Sequence, residues 1–292
     1  RQHAASLASQ DFVLHLDASD VVLTMDLDFL HHRIAAGDVA LFGYGIEYTS
    51  DRPQALVTRM QINRFYDRRL YHWEGVVHEG LYRNPDSPTG LEKVDCAPGQ
   101  LLVRHLKNES KKRSFYVAGL ALNYLEHPEN PRWAHYLGRE LYYIGRYQSA
   151  LDLLEEHASM QDAWSAERNE SLCFAGSCCE ALGQPEQALS CYSRAFAIDS
   201  SRREPLLRLA DLCLTRDDFQ GAVAYAQAAL SIPHPPAYIE LEINYTYRPH
   251  AILYRALYWL GRKAEAAEHF ALCRQLDPVN EKFLYDRRFF EA

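Results

Sequence analysis

The chain has 292 residues, 48% of them hydrophobic and 24% charged, with a formal net charge of -8. That length holds two domains, or one domain and a repeat array, and the mixture is that of ordinary globular proteins. The negative balance argues against a general nucleic-acid surface, and no apolar stretch reaches the roughly 18 residues that a membrane span needs.

Arg1 opens the chain with no secretory apolar segment after it. The seven cysteines are Cys96, Cys173, Cys178, Cys179, Cys191, Cys213 and Cys273. They form no CxxC pair and no Cys/His group with zinc-site spacing, and most fall on apparent helices, where buried thiols are common. A reducing compartment, the cytoplasm, is the simplest expectation.

In chain order, residues 12–16 read as a short buried strand that runs into the acidic stretch HLDASD at 15–20. Residues 27–34 fit one or two helical turns, with Asp26 near the N-cap. Residues 39–48 and 56–65 alternate like strands of a sheet. Residues 83–90, RNPDSPTG, are a turn-rich excursion, and 101–106 are another strand candidate. A helix opens from Lys111 through SFYVAGLALNYLEHP and leads into the second half. The first 110 residues are therefore a mixed α/β segment, too poor in βα units to be a whole nucleotide-binding domain.

The second half repeats a helix-turn-helix unit. LGRELYYIGRYQSALDLLEE (137–156), AGSCCEALGQPEQALSCYSRA (175–195), LADLCLTRDDFQGAVAYAQAAL (209–230) and LYRALYWLGRKAEAAEHFALCRQLDP (253–278) place small residues where two helices approach closely. The equivalent alanines Ala150, Ala188, Ala222 and Ala266 are 38, 34 and 44 residues apart. This resembles tetratricopeptide repeats, whose period is about 34. The excess in the first gap falls near 158–167 and that in the third within 232–249. Units are expected near 131–157, 169–200, 203–233 and 247–278. Tyr142, Tyr143, Trp164, Tyr245, Tyr247 and Tyr254 are either core or contacts for a partner.

DFVLHLDASD resembles the strand and acidic motif of a GT-A type glycosyltransferase of inverting family 2. RFYDRRLYHWEGVVHEGL (64–81) resembles the family's later Glu-Gly-x-Val-His-Glu stretch. VRHLKNESKKR (103–113) and LGRE (137–140) resemble the continuation in members that carry tetratricopeptide repeats. The resemblance implies an α+β chain: residues 1–110 as the C-terminal part of a GT-A-like domain, and 111–292 as an all-α repeat array. The family's nucleotide-binding strands precede the acidic motif, and none is present here. The chain is then expected to be a fragment, inactive by itself, with an open sheet edge that could dimerise.

The resemblance also implies the chemistry. A sugar would pass from a nucleotide-sugar donor to a peptide, protein or glycan acceptor, with the repeats docking the acceptor or a partner. Transfer needs positive charge at the leaving diphosphate, a base for the acceptor, and a held anomeric carbon. Asp17, Asp20 and His105 would hold Mg²⁺ or Mn²⁺. Ser19 stands where the family has an aspartate, and a hydroxyl is a poor substitute on a divalent cation. Glu79 is the favoured general base, with Glu74 the alternative; on a single extended strand the two would face opposite sides. His78 and the basic run Lys111, Lys112 and Arg113 would meet the diphosphate. Two rivals stand beside this reading: a non-catalytic tetratricopeptide interaction module with a degenerate glycosyltransferase remnant, and a carboxylate-dependent hydrolase.

Overall fold

A computed structural model describes residues 1–49, 58–75, 77, 79–106, 114–233 and 241–290. These divide into two compact units, one up to residue 106 and one from 114 onward.

The first unit is a mixed sheet with few helices. α1 (Gln2–Ser6), β1 (Phe12–Leu14) and β2 (Asp20–Met25) lead to α2 (Leu27–Ala36). Six strands follow: β3 (Val39–Thr49), β4 (Thr58–Asp67), β5 (Tyr71–Glu74), β6 (Gly80–Arg83), β7 (Glu92–Asp95) and β8 (Leu101–Leu106). The main sheet runs β1-β4-β3-β8-β2, while β5 and β6 form a separate hairpin. β3 is the central strand. β7 pairs in parallel with its first half and β8 with its second.

Alternation along β3 explains the two faces of the sheet. Phe42, Tyr44 and Ile46 point one way and pack with Leu30 of α2, Phe65, Leu101 and Val103. Leu41 points the other way and packs with Tyr66 and Trp73. Each fully buried side chain of this size contributes about 1.5–3 kcal/mol, which fixes the register. α2 starts as expected: the Asp26 carboxylate accepts from the Phe29 N–H at 3.0 Å. It runs on to Ala36, and Gly37 ends it at φ 74°.

Three expectations are corrected here. The strand at 12–16 stops at Leu14, is only half-buried, and lies at one end of the sheet. Residues 20–25 form a strand that periodicity missed, because Val21, Val22, Leu23 and Met25 are all exposed and do not alternate with polar residues. HWEGVVHEG is not one extended strand. β5 ends at Glu74, Gly75 adopts φ 104°, and β6 begins at Gly80, directly opposite Glu74. Glu74 and Glu79 therefore do not share a strand.

The second unit is all-α. α3 (Ser114–Glu126) precedes the hairpins α4 (Pro131–Tyr143) with α5 (Tyr147–Ser159), α6 (Ser165–Ala181) with α7 (Pro185–Ile198), and α8 (Glu204–Thr215) with α9 (Phe219–Leu230). The short α10 (Glu242–Tyr245) leads to α11 (Tyr247–Trp259) with α12 (Lys263–Leu276), and α13 (Glu281–Asp286) follows. No described helix is long and apolar enough to cross a membrane. The architecture is thus a mixed α/β unit followed by a helical repeat array.

The array is held by small residues. Ala150, Ala188, Ala222 and Ala266 are fully buried between paired helices. Gly138 admits no side chain, because a Cβ there would lie 2.7 Å from Leu154. Gly176, one unit later, faces the Tyr192 ring in the same way. The corresponding residue of the last hairpin is Tyr254, which is buried and donates its hydroxyl to Asp286 at 2.6 Å. As a potential partner contact Tyr254 is corrected to core. Tyr142 and Tyr247 also pack against the core, whereas Tyr143 and Trp164 are 41% and 50% exposed. The half-buried Tyr245 lies beneath the Arg203 guanidinium at 4.7 Å. Between paired helices the chain turns through positive φ at Gly145, Gly183 and Gly261, but at Asp217, φ 57°, in the third hairpin.

Candidate functional site

The acidic stretch first of all turns the chain. The Asp20 N–H donates to the Asp17 carbonyl at 2.9 Å, and the Asp17 N–H donates to Asp20 Oδ2 at 2.8 Å. This closed turn starts β2. β2 pairs antiparallel with β8, and the register sets Asp20 opposite His105. Asp20 Oδ1 lies 2.7 Å from His105 Nδ1, and the Ser19 hydroxyl lies 3.5 Å from the same nitrogen. Donor atoms of Asp17, Asp20 and His105 all fall within 4.8 Å of one another.

Two arginines thread this cluster. Arg64 of β4 places Nη1 2.8 Å from Asp17 Oδ2 and 3.8 Å from Asp20 Oδ2. From the other side Arg1 reaches Asp17 Oδ1 at 2.9 Å and Glu79 Oε2 at 3.3 Å, with its guanidinium 4.9 Å from the Trp73 ring centre. The result is a connected run in which Glu79, Arg1, Asp17, Arg64 and Asp20 alternate in sign and the His105 imidazole lies at the end. Burial pushes the Asp17 carboxyl up, but Arg64 and Arg1 together hold it below the usual carboxylate range. Burial likewise works against the charge on Arg64, and Asp17 beside it more than compensates.

The donor set suits a divalent cation. Adjacent ligands of an octahedral ion at about 2.1 Å are about 3 Å apart, close to the Asp20–His105 separation. Carboxylate oxygens with an imidazole favour Mn²⁺ over Mg²⁺. Against this, both Asp17 oxygens already accept from guanidiniums, and Ser19 contributes a hydroxyl where a third carboxylate would be stronger.

Of the sequence-derived candidates, Asp17, Asp20, His105 and Glu79 come together. Glu74 does not join them: it is exposed, and its partner is His72 on its own strand at 2.7 Å. His78, Lys111, Lys112 and Arg113 lie outside the described residues. Sequence reasoning missed Arg1, Arg64 and Tyr44. Arg64 opens the RFYDRR run and Tyr44 lies in the apolar stretch of β3; neither residue type marks a site by itself. Tyr44 is fully buried, its hydroxyl has no hydrogen-bond partner among the described residues, and its environment is charged by Arg64, Asp20 and Asp17.

A second polar cluster lies inside the array. The Ser171 hydroxyl sits 2.7 Å from His135 Nδ1 and 2.8 Å from His157 Nδ1. Both imidazoles are fully buried. His135 Nε2 faces the Glu170 carboxylate at 3.3 Å, poorly aligned for a hydrogen bond, and Arg139 approaches the same oxygen at 3.8 Å. A hydroxyl has one proton, so it donates to one imidazole and accepts from the other. The carboxylate favours a proton on His135 Nε2. Ser171 then donates to His135 Nδ1 and accepts from His157 Nδ1–H, which leaves His157 Nε2 a buried acceptor with no partner among the described residues. Full burial bars substrates, so this cluster is structural.

The tetratricopeptide repeat family matches residues 170–202, which hold most of α6 and all of α7. The C-terminal part of the chain is therefore a tetratricopeptide-like helical repeat region. The family match lies wholly within the array and does not reach the cluster at residues 17–105. Several solved structures are similar. The C-terminal part of a TPR repeat-containing protein from Cytophaga hutchinsonii is 16% identical over 62% of this chain and 66% of its own, with a TM-score of 0.48. Pseudomonas aeruginosa pilF is 17% identical over 59% and 72%, with a TM-score of 0.47. YrrB, described as a TPR protein with an unusual peptide-binding site, is 12% identical over 60% and 84%, with a TM-score of 0.45. At these scores the likeness adds nothing to the repeat pattern and the family match. No curated protein matches the chain by sequence.

Proposed function

We propose that the chain joins a protein-docking helical array to a cation-dependent glycosyl-transfer site. The docking half has the broader support: four stacked hairpins, a repeat-family match and exposed aromatics such as Tyr143, Trp164 and Trp259. Repeat arrays of this kind commonly use such a surface for a peptide or protein. The transfer half is carried by one observation. Four residues singled out in three motifs, Asp17 with Asp20, Glu79, and His105, lie in one connected run of polar contacts.

In this reading Asp17, Asp20 and His105 hold Mg²⁺ or Mn²⁺, which when bound offsets charge on the diphosphate of a nucleotide-sugar donor. Glu79 accepts the proton of the acceptor at a carboxylate oxygen. Arg1 holds Glu79 and Asp17 in fixed relation. The acceptor is a peptide, protein or glycan presented by the array. Seven thiols, six of them buried, fit a reducing, cytoplasmic setting.

A second reading keeps the docking array and drops turnover. Ser19 and the guanidiniums on both Asp17 oxygens favour it. Calorimetry separates the two. A nucleoside diphosphate should bind with Mn²⁺ present and not with EDTA, and Asp17→Asn should abolish the difference. Glu79→Gln should leave that binding intact and, where the donor-binding strands that the resemblance implies are supplied, lower transfer by roughly 10²–10⁴ in a turnover assay. Equal binding with Mn²⁺ and EDTA would refute the cation site and leave the interaction module.

A further inference from the structure

The space between the two carboxylates is already taken by a positive charge. Arg64 Nη1 bonds Asp17 at 2.8 Å and stands 3.8 Å from Asp20, whose side chain is almost fully enclosed. We propose that Arg64 is a built-in competitor of the divalent cation at Asp17, Asp20 and His105, so that cation uptake requires its guanidinium to swing out. This rests on the cation half of the reading above.

Three observations support it. First, a guanidinium and a metal ion seeking the same carboxylate oxygens repel each other, and arginine cannot yield by losing its proton. It can leave only by moving. Second, Arg1 also donates to both oxygens of Asp17, at 2.9 and 3.1 Å, so that each oxygen of that carboxylate already accepts from a guanidinium. Third, the Tyr44 hydroxyl is fully buried with no hydrogen-bond partner among the described residues, in the field of Arg64, Asp20 and Asp17. An orphaned buried hydroxyl is costly, and a displaced guanidinium N–H would satisfy it.

The site is then weak for a cation by construction rather than through Ser19 alone. The gap at Ser19 removes a ligand; Arg64 occupies what remains. Arg64 acts on the cation through the carboxylates, as a positioning residue, and its effect is visible without any turnover.

Mn²⁺ titration of the full chain, followed by the electron paramagnetic resonance signal of free Mn²⁺, tests this. Arg64→Gln should bind Mn²⁺ at least about tenfold more tightly than the parent, about 1.4 kcal/mol. Adding Asp20→Asn to that variant should abolish the gain. Arg64→Lys keeps the charge on a compact, more mobile head group, and should fall between the two. If circular dichroism finds Arg64→Gln unfolded, the lysine variant decides. Parent affinity equal to or tighter than both variants would overturn the competitor role while the cation site stood. Absence of binding in parent and variants alike would remove the cation site and this proposal with it.

Discussion

Replacing His157 with Gln should remove much of the acid sensitivity of the helical array. Burial, then His135 and Arg168, push the His157 pKa down to about 3. In the unfolded chain it would be about 6.5. The folded value is the lower one, so folding favours the neutral imidazole. That stability is complete above the unfolded value and is lost as pH falls from about 6.5 toward 3. Near pH 5 the unfolded state alone carries the proton, a loss of about 2 kcal/mol. The geometry gives the same sign: His157 Nε2 has no partner among the described residues to receive a proton, and His135 shares its serine. Glu170 adds to the loss only lower down. Burial alone would raise its carboxyl, but Arg139 and His135 hold it at about 2, so its share goes below about pH 4.5.

At neutral pH His157→Gln should cost about 1 kcal/mol, for the lost hydrogen bond to Ser171. By about pH 5 the variant should be the more stable protein, by a similar margin. Urea denaturation followed by circular dichroism at several pH values would locate the crossing, expected near pH 6. Parent and variant curves that stay parallel through this range would refute the argument that burial holds His157 neutral.

Further expectations concern packing. Asp217→Gly should stabilise the third hairpin by about 1 kcal/mol, since glycine takes positive φ without the strain of a side chain; an unchanged urea midpoint would contradict this. Gly176→Leu should cost about 3 kcal/mol or more, because the new side chain would enter the Tyr192 ring; near-parent melting would mean that α6 and α7 separate easily. If copies pair through β2, whose Val21, Val22, Leu23 and Met25 are exposed at the sheet edge, Leu23→Lys should yield monomers in sedimentation. A dimer that survives the substitution would place the interface elsewhere.

Local signals carried much of the fold. The small residues at 150, 188, 222 and 266 marked the hairpins because they recur near the 34-residue repeat period and each must vanish between two helices. Asp26 announced α2 because a cap acts on the N–H three residues away. β2 escaped because an exposed edge strand has no buried face to impose alternation. Gly75 broke one apparent strand into two, since nothing in the residue types of 72–80 declares where a chain reverses.

The sites followed the same division. By itself the sequence determined the ordered motifs, and so the identities of Asp17, Asp20, Glu79 and His105 as candidates. Only the tertiary structure decided that they meet. Asp20 and His105 are 85 residues apart, and the antiparallel register of β2 on β8, set by core packing on the neighbouring strands, places them 2.7 Å from one another. Arg64 joined them through β4, and Ser171 joined His135 to His157, by the same route. Helix periods and caps act over three or four residues and are legible one window at a time. Strand register and helix stacking depend on burying the whole apolar surface at once, and no single stretch of sequence contains that sum.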